Sequence, residues 1–208
     1  MKIKICGLFR DEDIEIVNEL KPDFIGFVFA KSRRNISYEK ARTLFLRLNQ
    51  SERYNIPVGV FINEKIDFIA KLYNEGVIKY AQLHGDEPLS YMAELKRRVK
   101  NIKIIKAIRL EKRIKMTGCA WNNGIAEEVD YILLDSKMPG SGKPFNWTLL
   151  KDFEKIKNRI FLAGGIDINN IEEAINFNPY CIDISSGAEE NGLKNYQRIK
   201  ELLDKVSA

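Results

Sequence analysis

The chain has 208 residues, 45% of them hydrophobic and 30% charged, enough apolar material for one well-filled domain, and a closed barrel of this length needs tight loops. No run approaches the roughly 18 apolar residues of a membrane span, and Met1-Lys2-Ile3 opens a strand rather than a leader, so a soluble cytoplasmic protein is expected. Cys6, Cys119 and Cys181 lack C-x-x-C spacing, which argues against a disulfide framework or zinc knuckle; the net charge of +5 spreads over interleaved acids and bases and fits an anionic small substrate as well as a nucleic acid, for which no motif is present.

Short β-branched runs alternate with segments of 3.6-residue period along the whole sequence. The strand Ile3–Cys6 precedes a helix from Asp11 that aligns Ile14, Val17 and Leu20. Phe24–Phe29 leads to a helix from Ser37 with Ala41, Leu44 and Leu48, and Pro57–Phe61 to one from Asn63 with Ile66, Ile69 and Ala70. Tyr80–Leu83 precedes a helix from Asp86 with Pro88 in its first turn, and Lys103–Ile108 precedes Glu111–Glu128, where Thr117-Gly118 and Asn122-Asn123-Gly124 break the period. Tyr131–Leu134, Ile160–Leu162 and Cys181–Ile184 bring the count to eight, with helices from Asn146, Asp167 and near Leu193. Strict β-then-α alternation implies a parallel sheet. Eight units without a break in composition favour a single α/β domain over residues 1–208, a (β/α)₈ barrel, with a doubly wound open sheet as the alternative.

In such a barrel the chemistry sits at the carboxyl ends of the strands. Alternation turns Lys4 and Cys6 inward and Ile3 and Ile5 outward. A thiol near a cation such as Lys4 can lose its proton near neutrality and act as a base, although an arbitrary cysteine is more often a small buried hydrophobe. Leu133-Leu134-Asp135 ends in a carboxyl whose charge desolvation disfavours, as suits a proton donor, although a loop acceptor has the same pattern. Gly140-Ser-Gly-Lys143 lacks phosphate-loop spacing and is read as a flexible loop over the site. Arg34, in Lys31-Ser-Arg-Arg34, offers a fork for a carboxylate. Gln82, His84 and Asp183 share inward parity, with Lys4 as the natural partner of Asp183. Phe161-Leu-Ala-Gly-Gly165 and Cys181-Ile-Asp-Ile-Ser-Ser-Gly187 both stop in small residues, where bare backbone N–H groups can cradle a phosphate. His84 is the only histidine, which weighs against a histidine-rich metal site.

The ordered set Lys4-Ile-Cys-Gly7, Gly26-Phe-Val-Phe29, Lys31-Ser-Arg-Arg-Asn-Ile-Ser37, Val58-Gly-Val-Phe61, Gln82-Leu-His-Gly85, Leu133-Leu-Asp135, Gly140-Ser-Gly-Lys-Pro-Phe-Asn-Trp147, Leu162-Ala-Gly-Gly165 and Asp183-Ile-Ser-Ser-Gly187 resembles the phosphoribosylanthranilate isomerase family over nearly the full length. The resemblance implies a (β/α)₈ barrel that performs an Amadori rearrangement in tryptophan biosynthesis without cofactor or metal. It implies Asp135 as general acid, Cys6 as general base, Arg34 on the anthranilate carboxylate, and the amides of Gly164, Gly165, Ser186 and Gly187 on the phosphate. Gln82, His84 and Asp183 join Arg34 as expected substrate-binding residues. The expected partner is a small phosphorylated substrate rather than a membrane or nucleic acid, with monomer and homodimer both open. After strand eight, Gly192 and Lys194 fit the family pattern, whereas Asn191 stands for a proline and Asn195 for an aspartate. Indole-glycerol-phosphate synthases and ribulose-phosphate epimerases are weaker matches, since they draw on lysine and glutamate or on metal-binding histidines. A non-catalytic nucleic-acid binder would show steep salt dependence and no turnover.

Overall fold

The computed structural model describes residues 1–49, 53–109, 128–135 and 147–207. Eight parallel strands close in sequence order into one barrel: β1 (Lys2–Cys6), β2 (Phe24–Val28), β3 (Ile56–Phe61), β4 (Tyr80–Leu83), β5 (Lys103–Arg109), β6 (Tyr131–Asp135), β7 (Ile160–Ala163) and β8 (Cys181–Ile184). Closure removes the open-sheet alternative. Helices α1 (Asp11–Leu20), α2 (Tyr38–Leu46), α3 (Ile66–Asn74), α4 (Leu89–Arg98), α5 (Ile171–Phe177) and α6 (Tyr196–Ser207) lie between or after the strands, and Trp147–Arg159 coils as a 3₁₀ helix before β7. The interrupted segment 111–127, the glycine loop at 140–143, Cys119 and the expected cap Asn146 lie outside the described residues.

Alternation along each strand divides the core into two shells. Ile3, Ile5, Ile25, Phe27, Leu83 and Ile104 belong to the larger cluster shared with helix residues such as Ile14, Val17, Leu44 and Ile199. Phe24, Ile56, Val58, Ile105, Leu133, Phe161 and Cys181 fill the barrel itself. At the amino-terminal pole, Tyr131 stacks on Tyr180 at 4.6 Å. Phe24 meets Tyr80 and Phe161 edge-on, each at 5.3 Å, and Lys2 Nζ lies 5.2 Å from the Phe24 ring centre. This aromatic plug closes the end opposite the strand tips.

Several helix starts differ from expectation, each for a local reason. Helix α1 does begin at Asp11, with Arg10 at the cap position and Asp13 reaching back to accept from the N–H groups of Phe9 and Arg10, while Asp11 pairs with Lys40. Asn63 lies three residues before α3, at φ 49°, and accepts from Asp86 N. Helix α4 begins after Pro88, and α5 begins at Ile171 rather than near Asp167. Ser37 does cap α2, accepting from Lys40 N at 3.2 Å.

The largest difference follows β8. Where a helix was expected near Leu193, Glu189–Glu190 (β9) and Leu193–Lys194 (β10) form an antiparallel hairpin. Its loop is Asn191-Gly192, at φ 50° and 81°, the pairing that a tight two-residue turn with left-handed backbone favours. Proline cannot adopt that φ, whereas asparagine tolerates it, so Asn191 suits this turn. Asn195 then opens α6, its Oδ1 accepting from Arg198 N at 3.0 Å, as an aspartate would.

Candidate active site

The carboxyl ends of the strands surround one open cavity of about 420 Å³, lined by Cys6, Arg34, Gln82, His84, Asp135 and Asp183 among others, together with Gly164, Gly165, Ser185 and Ser186. Its size suits a small organic ligand. Groups 129 residues apart in sequence, Cys6 and Asp135, therefore face the same space. Gly187 is the exception to the expected set: it is not part of the lining, and a Cβ there would lie 2.1 Å from Ile166 O. Its lack of a side chain lets the turn after β8 pack on the turn after β7. Gly164 and Gly165, at φ 112° and 73°, make that second turn, and the space where a Gly165 side chain would sit is open.

Register explains the base of the site. Lys4 and Asp183 are direct partners across β1 and β8, so their inward side chains meet, Lys4 Nζ donating to Asp183 Oδ1 at 2.9 Å with both buried. Burial alone would lower the Lys4 ammonium, but Asp183 and Cys6 outweigh it and hold it above its usual value. Cys6 is one inward step further along β1. A Cβ on Gly26, in the neighbouring strand, would fall 2.7 Å from its sulfur, so the glycine makes room for the thiol.

The sequence expectation of a thiol that ionises near neutrality meets a correction here. Burial pushes the Cys6 thiol up, and although Lys4 and Lys194 both pull it down, Asp183 offsets part of their effect. Because Lys4 is already committed to Asp183, its charge is only partly available to a thiolate.

The clamp also differs from a free fork. Arg34 donates through Nε to Glu189 Oε1 at 2.6 Å and through Nη2 to Glu189 Oε2 at 2.9 Å, a bidentate pair that fixes the guanidinium plane. Lys194 Nζ, buried, donates to Glu189 Oε1 at 2.9 Å and to Ser185 O at 2.9 Å, and Arg33 also pairs with this carboxylate. Burial would raise the Glu189 carboxyl, but Arg34 and Lys194 hold it down, to about 2. Arg34 further rests on the chain at Gly7, where a Cβ would meet its Cδ at 2.3 Å. Glu189 and Lys194 were not anticipated as site residues. The tight Asn191-Gly192 turn is the sequence signal that would have folded them back toward the mouth.

His84 and Gln82 face each other across 3.2 Å, from His84 Nδ1 to Gln82 Nε2, and His84 Nε2 is 3.6 Å from Asp135 Oδ2. Both Asp135 and His84 are about a quarter exposed. Among the described residues no group of three or more His, Cys, Asp or Glu is arranged to hold a metal ion.

Residues 3–205 match the family model described as N-(5'-phosphoribosyl)anthranilate (PRA) isomerase. An N-(5'-phosphoribosyl)anthranilate isomerase of Endomicrobium trichonymphae is 44% identical over 97% of this chain and 96% of its own length. The crystal structure of phosphoribosyl anthranilate isomerase from Thermotoga maritima is 33% identical, covers 100% of this chain and 98% of that one, and superposes with a TM-score of 0.82. A phosphoribosyl anthranilate isomerase solved in complex with reduced 1-(o-carboxyphenylamino)-1-deoxyribulose 5-phosphate is 31% identical over 100% of this chain and 98% of that one, with a TM-score of 0.80.

Proposed function

The chain belongs to the N-(5'-phosphoribosyl)anthranilate isomerase family, and from that premise we infer that it converts N-(5'-phosphoribosyl)anthranilate to 1-(2-carboxyphenylamino)-1-deoxyribulose 5-phosphate in tryptophan biosynthesis by general acid–base catalysis. The observation that carries the assignment of roles is the single mouth shared by Cys6, Asp135 and the two small-residue turns. Asp135 protonates the furanose ring oxygen. The C1–O bond breaks and the anilino nitrogen lone pair forms the C1=N iminium. The Cys6 thiolate takes the C2 proton, and the released electron pair forms the C1=C2 bond as the nitrogen becomes neutral. The enolamine then loses its C2 hydroxyl proton and gains one at C1, giving the ketone. Each proton-transfer group is worth about 10²- to 10⁴-fold.

The phosphate sits against the backbone amides of Gly164, Gly165 and Ser186, where two turns of small residues face each other, Gly187 letting them pack together. Arg34 receives the anthranilate carboxylate on its Nη1 side, the Nε–Nη2 edge being held by Glu189. Asp183 holds Lys4 in place beneath the thiol, and the ammonium groups of Lys4 and Lys194 pull against the burial that still leaves the thiol above its ordinary value. The decisive assay follows the decay of anthranilate-linked fluorescence in freshly prepared phosphoribosylanthranilate. Turnover by the intact chain is expected, and its absence would end the isomerase reading. Among the described residues no helix is long and apolar enough to cross a membrane, and we place the enzyme in the cytoplasm, where buried thiols such as Cys6 and Cys181 stay reduced; cell fractionation checks this.

A further inference from the structure

We propose that Gln82 and His84 form a positioning relay that aims the proton donor Asp135, a role that rests on the general-acid assignment above. A neutral imidazole has one N–H and one acceptor nitrogen, and the group that meets one nitrogen decides the chemistry of the other. Gln82 Nε2, 3.2 Å from His84 Nδ1, can only donate, so Nδ1 is the acceptor and the imidazole proton sits on Nε2. That nitrogen faces Asp135 Oδ2 at 3.6 Å. The separation is beyond hydrogen-bond reach, and catalytic contacts of this kind tighten when substrate arrives. When Asp135 passes its proton to the ring oxygen, the His84 N–H is in place to meet the carboxylate that remains.

Two further observations make the relay more than a chance contact. Gln82 is buried at 2% exposure, and its Oε1 has no hydrogen-bond partner among the described residues. A buried amide with one arm on His84 and the other unpaired is costly, so its placement beside the imidazole, at the wall of the mouth, is not a generic packing choice. The turn that carries His84 is also braced. His84 N donates to Phe61 O at 2.8 Å. Beyond it, Lys106 Nζ donates to Gly85 O at 2.7 Å and to the buried Glu87 at 2.7 Å, and Glu87 in turn accepts from Gly85 N at 3.1 Å. A group aimed to within half an ångström needs such support.

The test is a double-mutant cycle on kcat and KM with phosphoribosylanthranilate. His84→Leu should lower kcat about 10- to 100-fold, the equivalent of one hydrogen bond to a charged group, while KM moves by less than about threefold. His84→Gln, whose amide N–H can take the place of Nε2–H, should keep kcat within about fivefold of the intact chain. In an Asp135→Asn background the further loss from His84→Leu should be under about twofold, because the group it serves is gone. An equal loss in both backgrounds, or equal impairment by leucine and glutamine, overturns the relay. If His84→Leu does not fold, Gln82→Met, which frees the imidazole tautomer, is read through the same cycle by the same rule. An intact chain without turnover would instead remove the isomerase reading and the relay with it, so the two failures are told apart by the first assay.

Discussion

The two ends of the barrel solve opposite problems with the same alternation of residues. At the amino-terminal pole the inward positions are aromatic, with Phe24, Tyr80, Tyr131, Phe161 and the adjoining Tyr180 closing the barrel through ring contacts. At the carboxyl pole the inward positions are Lys4, Cys6, Gln82, Asp135 and Asp183, backed by Glu189 and Lys194. The first end gains stability from every group it buries. The second holds the buried charges Lys4 with Asp183 and Lys194 with Glu189, tolerable because they are paired, and removing one partner of such a pair costs far more than the pair contributes. Stability and chemistry are thereby placed about one barrel length apart, so each pole can be altered while the other is read.

The largest expected effect is at the mouth. Asp135→Asn should cut kcat by about 10²- to 10⁴-fold while the thermal midpoint stays near that of the intact chain; a comparable loss of stability would mean that the two poles are not separate. The converse change, Phe161→Ala, should cost about 3–5 kcal/mol of unfolding free energy and leave kcat of the folded fraction unchanged, measured by denaturant titration beside steady-state rates. The smallest effect concerns acid. Glu189 is held at about 2 against an ordinary 4.5. Its folded value lies below its unfolded one, so its contribution is fully present above pH 4.5 and is lost as the pH falls towards 2. The thermal midpoint should fall through that window, and Glu189→Gln should flatten the fall.

What the sequence revealed was whatever depends on local period. Eight strands, the inward parity of Lys4 and Cys6, and the Lys4–Asp183 pairing could all be read because alternation and parallel register leave little freedom. The helix start at Asp11 is where α1 begins, whereas the start at Asn63 falls three residues early because that residue is held in a contact between neighbouring loops. Glu189 was invisible as a site residue because its value lies in Arg34, 155 positions away. The turn that brings it home was nevertheless written in Asn191-Gly192, of which Asn191 departs from the family pattern and Gly192 fits it. The ionisation of Cys6 could not be judged from sequence, since a nearby lysine says nothing of how much of its charge another carboxylate already uses.

Base catalysis at this mouth turns on the sulfur at the end of β1, and the most direct measurement is kcat of Cys6→Ser with the intact chain alongside and the fold of both checked by circular dichroism. A thiolate base predicts a loss of about 10²-fold or more with KM little changed. A serine variant that turns over phosphoribosylanthranilate at close to the rate of the intact chain would contradict it.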